Sequence, residues 1–171
     1  MRPPKPKPGL GALALLGAGL WLLLGGGERG AQEAAERLPV AKARIVEVID
    51  GDTARALVAG REQSVRYIGV DTPESAIPGQ EPECFGKKAA RINRRLVLGE
   101  RIRLRFGRER RDPYGRLLAY VRAGETFVNA ELVRRGYART LAIAPNDEHA
   151  PMFARLQQRA ANSARGLWAA C

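Results

Sequence analysis

Four carboxylates fall into two short runs, Val48-Ile49-Asp50-Gly51-Asp52-Thr53 and Arg66-Tyr67-Ile68-Gly69-Val70-Asp71-Thr72-Pro73-Glu74. The first run ends a strand, turns on Asp-Gly and re-enters a sheet at a second acid. The second is a strand that begins with an arginine and ends in Asp71, a Thr-Pro break and Glu74. In an antiparallel hairpin Asp52 and Asp71 come to the same end of neighbouring strands, with Arg66 and Glu74 close by. Converging carboxylates attract a hard cation, and a cation beside an arginine suits a phosphate. An all-oxygen set points to calcium or magnesium rather than zinc. A cation of this kind acts as a Lewis acid on a phosphate oxygen while a carboxylate orients or deprotonates water. Arg66, and Arg116 just after the tight Tyr114-Gly115 turn, offer planar forks to the charge that builds on a five-coordinate phosphorus. The residue set therefore suits hydrolysis of a phosphodiester.

Taken singly, these residues are ordinary. Asp50-Gly-Asp52 alone reads as an Asp-Gly turn, and it lacks the spacing and terminal Glu of an EF-hand. Arg116 alone reads as a hairpin arginine. His149 is the single histidine of the chain and falls in a polar loop, where a solvated side chain is expected. A His-dependent mechanism is therefore not expected, and no Cys/His spacing fits a zinc site.

The elements that must position this chemistry follow from the hydrophobic pattern. The 171 residues are enough for one domain with a proper core. Ile45, Val46, Val48 and Ile49, then Ala54 to Val58, then Val65 to Val70 read as a three-stranded meander. Ser75 to Glu83, with two prolines and a glycine, reads as a mobile loop beside Glu74. Phe85, Ala89, Ile92 and Leu96 have helical spacing, ended by Gly99. Glu100 to Phe106 alternates, with Arg101, Arg103 and Arg105 on the outer face of a half-buried strand, which is ordinarily a solvated face. Gly107 to Arg111 reads as a basic loop leading into the Asp112-Pro113-Tyr114-Gly115 turn, and Leu117 to Val121 as a strand. A short helix carries Val128, Leu132 and Val133, capped by Asn129 and stopped by Gly136. A last helix runs from about Pro151 to Ala164, after which Leu167 and Trp168 fold back on the core. Five strands, with helices after the third and fifth, predict an α+β fold: a small Greek-key barrel of the oligonucleotide-binding type with about three helices.

The formal net charge is +11, and from Leu38 onward 24 basic residues face 15 acidic ones, so the excess lies in the folded body. A basic body favours polyanions, either nucleic acid or an anionic membrane surface. Arg2, Lys5 and Lys7 precede an apolar run from Leu10 to Leu24, the order of an export signal. The run is short for a membrane span and no good cleavage site follows, so residues 1–27 are either a signal peptide or an N-terminal anchor. Residues 28–38 read as a linker, and 39–171 as the domain. Either reading places the domain outside the cytoplasm. Cys84, before a helix, and Cys171, the last residue, fit that address. They pair within the chain, or remain unrelated thiols of which the terminal one joins another chain.

The runs VIDGDT (48–53), RYIGVDTPE (66–74), DPYGRLLAYV (112–121) and the closing Gly166-Leu167-Trp168, in this order, resemble the staphylococcal nuclease family over roughly Val40 to Trp168. The resemblance implies an oligonucleotide-binding barrel and a calcium-dependent endonuclease acting on DNA and RNA to leave 3′-phosphate ends. By position, Asp52, Asp71 and the Thr72 main-chain carbonyl are similar to the family's calcium ligands. Glu74 matches the glutamate that holds or activates water, Arg66 and Arg116 the phosphate-binding arginines, and Tyr114 a tyrosine beside a terminal phosphate. Asp50 matches an acid that supports the calcium site. One stretch departs: where a familiar member has base-packing tyrosines, Thr140-Leu141-Ala142-Ile143-Ala144 has no aromatic residue. Two other functions stay open at this point. One is a non-catalytic nucleic-acid-binding module of the same fold. The other is a membrane-surface protein held through its basic body and N-terminal segment. A monomer is expected.

Overall fold

The computed structural model describes residues 39–76, 79 and 81–171. The apolar N-terminal run and the linker 28–38 lie outside them, as do Ile77, Pro78 and Gln80 of the loop after Glu74. In chain order the elements are β1 (Val40–Val48), β2 (Thr53–Val58), β3 (Arg61–Tyr67), β4 (Gly69–Asp71), α1 (Gly86–Val97), β5 (Ile102–Arg111), β6 (Leu117–Ala123), β7 (Thr126–Phe127), α2 (Val128–Arg134), β8 (Arg139–Leu141), α3 (Ala150–Asn162) and α4 (Leu167–Ala170).

Five strands make the barrel. Their order is β3-β2-β1-β5-β6, and β3 closes on β6 in parallel with Val65 opposite Leu117 and Tyr67 opposite Ala119. Alternation along each strand sends Ala54, Ala56, Val65, Leu104, Ala119 and Val121 into the interior, where all are fully buried. Small residues on β2 and β6 leave room for Tyr67, Ile102 and Leu104, as the tight interior of a small barrel requires. The helices α1, α2 and α3 pack outside it, with Val97, Val128, Leu132, Val133 and Phe153 turned into the same core. This is the five-stranded mixed barrel with three principal helices that the sequence pattern predicts. Among the described residues no helix is long and apolar enough to cross a membrane.

Four local expectations are corrected. The strand expected over 65–70 is two strands, because the chain bends at Ile68-Gly69. Gly69 has φ +79°, and a side chain there would meet the Phe153 ring. Ile68 then bonds to Ala119 of β6, while β4 pairs with β8. Second, the expected basic loop 107–111 belongs to β5, which continues to Arg111 through a register shift after Phe106. Asn146 takes the place of a strand partner there: its side chain accepts from Glu109 N (3.1 Å) and donates to Glu109 O (2.8 Å). Third, Asn129 does not cap α2, which begins at Val128. It is buried, accepts from Val121 N (2.8 Å) and donates to Ile68 O (2.8 Å), joining β6 to the bend after β3. Fourth, His149 is half-buried rather than freely solvated. It packs edge-on against Tyr120 and Phe127, and its Nε2 lies 2.7 Å from Arg105 Nη2. A guanidinium only donates, so that nitrogen accepts and the ring is neutral. Burial holds its pKa below the usual histidine range.

Replacing Asn129 with Ala leaves a buried N–H and a buried C=O unpaired. Urea denaturation should show a loss of about 2–4 kcal/mol, whereas a loss within experimental error would mean that this side chain does not hold the bend.

Candidate active site

The β2–β3 register places Thr53 opposite Arg66, and Tyr67 N donates to Asp52 O at 2.9 Å. The start of β2 and the end of β3 are thereby locked together. The Asp52 side chain, 1% exposed, is satisfied on both oxygens. Oδ2 accepts from Thr72 N (2.7 Å) and Thr72 Oγ1 (3.1 Å), and Oδ1 accepts from Thr53 Oγ1 (3.1 Å) and from Arg66 Nη1. Arg66 Nη2 also donates to Asp71 Oδ1 at 2.8 Å. One guanidinium therefore bridges two carboxylates that arrive from separate elements, the turn before β2 and the end of β4.

Asp50 supports this pair from beneath. Its Oδ1 accepts from Asp52 N at 3.0 Å, which shapes the Asp-Gly turn. Its main-chain carbonyl accepts from Asn93 of α1 (3.0 Å), and Asn93 in turn accepts from the buried Tyr67 hydroxyl (3.1 Å). Burial pushes the Asp50 carboxyl above the usual range, against the pull of Arg66, Thr53 and Arg116. Both arginines thus act on the same acid. Burial likewise pushes the Tyr67 hydroxyl up.

Glu74 is exposed and follows the buried Thr72-Pro73 pair. Its backbone is gripped twice by Glu83: Glu74 N donates to Glu83 Oε2 (3.0 Å), and Glu83 N donates to Glu74 O (3.0 Å). At the start of α1, a Cβ on Gly86 would stand 2.1 Å from that same Glu74 carbonyl, so the helix can approach only without a side chain there. Burial, followed by repulsion from Asp50, raises the Glu74 pKa. Glu83 and Asp71 add to the rise, and Arg66 opposes it. The Cys84 and Cys171 sulfurs are bonded, with Cα atoms 6.0 Å apart, so the C-terminus is tied to the residue beside Glu83.

Arg116 comes from the opposite side. Asp112 Oδ1 accepts from Tyr114 N (3.0 Å) and Arg116 N (2.9 Å), and its Oδ2 accepts from Arg116 Nε (2.6 Å). One carboxylate thus forms the turn and aims the arginine. The Arg116 guanidinium lies 5.4 Å from the Tyr114 ring centre, and Tyr114 is 85% exposed. Arg66, Tyr114 and Arg116 line one cleft of ≈ 270 Å³, whose remaining wall includes Leu118, Leu141 and Ile143.

The structure thus joins Asp52, Asp71, Thr72 and Arg66 directly, sets Asp50 and Glu74 beside them, and places Arg116 and Tyr114 across the cleft. Three contributors escaped the sequence reading. Asp112 could have been found, since an acid four residues before an arginine across a tight turn is a readable pair. Glu83 and Asn93 carry no local signal, because their partners lie nine and forty-three residues away.

Among the described residues no three His, Cys, Asp or Glu side chains form a group that could hold a metal ion. The acids instead meet as a pair, bridged by Arg66. By donor type the two carboxylates still suit a hard cation, being all oxygen.

The staphylococcal nuclease homologue family matches residues 64–170. The chain belongs to the staphylococcal nuclease family. The thermonuclease of Staphylococcus intermedius is 37% identical over 121 residues, covering 71% of this chain and 72% of the relative. The thermonuclease of Staphylococcus hyicus is 34% identical over 125 residues, covering 73% and 74%. Endonuclease YncB of Bacillus subtilis (strain 168) is 36% identical over 122 residues, covering 70% of this chain and 58% of the relative.

Within this family member the disulfide closes a loop of sequence separation 87 and anchors the C-terminus beside Glu83. Reducing it, or replacing Cys171 with Ser, should lower unfolding free energy by about 2–4 kcal/mol and increase proteolytic nicking near residues 75–83. An unchanged denaturation midpoint under reductant would show that the bridge does not hold this loop.

Proposed function

We propose that the chain is a calcium-dependent endonuclease that hydrolyses phosphodiester bonds of DNA and RNA and leaves 3′-phosphate ends. The observation that carries the reading is the Arg66 guanidinium bridging Asp52 and Asp71 at the end of a cleft that also holds Arg116. Two cationic forks, Arg66 and Arg116, then line one cleft, and the first of them is held by the two carboxylates. Family membership, with nuclease relatives, supports the same substrate class.

Asp52, Asp71 and the Thr72 carbonyl would hold Ca²⁺, which supplies Lewis-acid neutralisation of a phosphate oxygen. Arg66 and Arg116 donate to the other phosphate oxygens, and their N–H edges match the charge that grows as phosphorus becomes five-coordinate. Glu74, with its backbone clamped by Glu83, orients the water and takes its proton. The water oxygen bonds to phosphorus, the P–O5′ bond breaks, and the 5′-oxygen collects a proton from solvent. The products are a 3′-phosphate and a 5′-hydroxyl. Tyr114 packs beside the phosphate end of the cleft. Leu141 and Ile143 face the base with aliphatic surface only, so the aromatic contribution of about 1–3 kcal/mol per base is missing and base preference should be weak. An extracytoplasmic address, secreted or anchored through the N-terminal apolar run, is supported by the disulfide.

The test is cleavage of single-stranded DNA by the full chain with calcium, with magnesium and with chelator. Glu74→Gln should lower kcat by about 10²–10⁴ without loss of fold, and Arg66→Ala by about 10²–10³ with a loss of stability as well, since it leaves the buried Asp52 without its ion-pair partner. Tight binding of DNA with no cutting in any metal would leave a nucleic-acid-binding module in place of the enzyme.

A further inference from the structure

Away from the cleft, the outer face of the barrel carries a second cationic surface. Strand register sets Lys42 of β1 opposite Arg103 of β5, Arg103 opposite Arg122 of β6, and Arg122 opposite Phe127 of β7. Lys42, Arg103 and Arg122 are all exposed. Three cations therefore stand side by side on adjacent strands, about 4.8 Å apart from one strand to the next. Like charges directly opposite in a sheet destabilise it, so this row works against the fold that displays it. The next row is Val40, Arg105 and Tyr120. Arg103, Arg122 and Phe127 of the first row and all of the second wall, with Glu148 and His149, a groove of ≈ 400 Å³, and Lys42 stands outside it.

Compensation by acids is slight. Glu148 pairs with Arg105 at 2.7 Å, but Glu125, 3.7 Å from Arg103, is 99% exposed and its attraction is screened by solvent. Among the described residues, Lys42 and Arg122 have no acidic partner within ion-pair distance. Aromatic rings set the planes of two guanidiniums: Arg105 lies 4.7 Å from the Tyr120 ring centre and Arg122 5.1 Å from that of Phe127. Arg105 spends Nη1 on Glu148 and Nη2 on His149, so of these two it is the stacked Arg122 that has N–H groups to offer a phosphate.

We propose that this groove is a second nucleic-acid contact, which holds the phosphates of a single strand whose scissile linkage lies in the cleft. The proposal rests on the nuclease reading above. The two sites are close along β6: Leu118 lines the cleft and Arg122 the groove, about 13 Å apart at ~3.3 Å per residue, with Tyr120 between them covered by Asn146 and His149, so a bound strand crosses over that short cover. Sites on folds of this type take about 4–16 nucleotides, so one strand reaches both. That continuity favours a strand over a lipid surface as the occupant.

The experiment compares the full chain with its Arg103→Glu/Arg122→Glu variant on two substrates, a dinucleotide that fills the cleft alone and a long single-stranded oligonucleotide. In parallel, anisotropy with the labelled long strand in chelator follows binding over a salt series. At low salt the variant should lose roughly tenfold or more in kcat/KM on the long strand, while the dinucleotide rate stays within about twofold. The slope of log K against log salt should fall by about 0.7 for each phosphate that the variant no longer neutralises. Equal losses on both substrates, or an unchanged long-strand affinity, would overturn the proposal. So would a variant that releases phosphatidylserine vesicles yet keeps its affinity for the strand, since the surface would then serve a membrane. If the wild-type chain cuts neither substrate, the nuclease reading falls, and the anisotropy comparison still decides whether the groove binds nucleic acid.

Discussion

The buried carboxylate of Asp52 is the constraint around which the site is built. An acid side chain with 1% exposure is tolerable only because each of its oxygens is occupied, by Thr53 and Arg66 on one side and by the Thr72 amide and hydroxyl on the other. Removing one partner of such a buried pair typically costs about 3–5 kcal/mol, so the turn before β2, the end of β3 and the residues after β4 must keep their relative positions. The Asp52 main chain adds its own link to Tyr67. A site made from three separate segments is thereby given one geometry before any ligand arrives.

The groups around this centre are held by the carboxylates of other residues, Glu74 through its backbone and Arg116 through both its backbone and its Nε. Glu83 grips the Glu74 main chain and leaves the Glu74 carboxylate exposed. Asp112 aims Arg116 while closing the turn that carries Tyr114. The disulfide then ties the C-terminus to Cys84, next to Glu83. This division keeps charged tips accessible in the cleft and places the ordering cost on the scaffold, the arrangement that a preorganised electrostatic site requires.

The barrel was legible in the sequence because its strands are apolar runs set off by turn signals such as Asp50-Gly51, Ala59-Gly60 and Asp112-Pro113-Tyr114-Gly115, with alternation clearest in the first half of β5. Asp52, Asp71, Glu74, Arg66 and Arg116 were legible as a set because two short runs hold most of them. What could not be read depended on distant partners. The break at Gly69 is required by Phe153, and the continuation of β5 past Phe106 by Asn146, residues whose approach no local pattern announces. Asn129 looked like a cap because its type suits one, but a buried bend at Ile68 claimed its side chain instead. His149 looked solvated until Tyr120, Phe127 and Arg105 were placed around it. The basic face of β5 was visible as a pattern; its alignment with Lys42 and Arg122 needed the strand register.

In this structure a guanidinium balances the paired carboxylates of Asp52 and Asp71, and on the proposed reading a calcium ion shares that role during turnover. Calorimetric titration of Ca²⁺ into the full chain, beside Asp71→Asn, tests this most directly. One ion per chain is expected, with at least about a tenfold weaker affinity in the variant, as loss of a charged hard-oxygen ligand implies. No binding by the wild-type chain, or the same isotherm for both proteins, would contradict a calcium site at the Asp52–Asp71 pair.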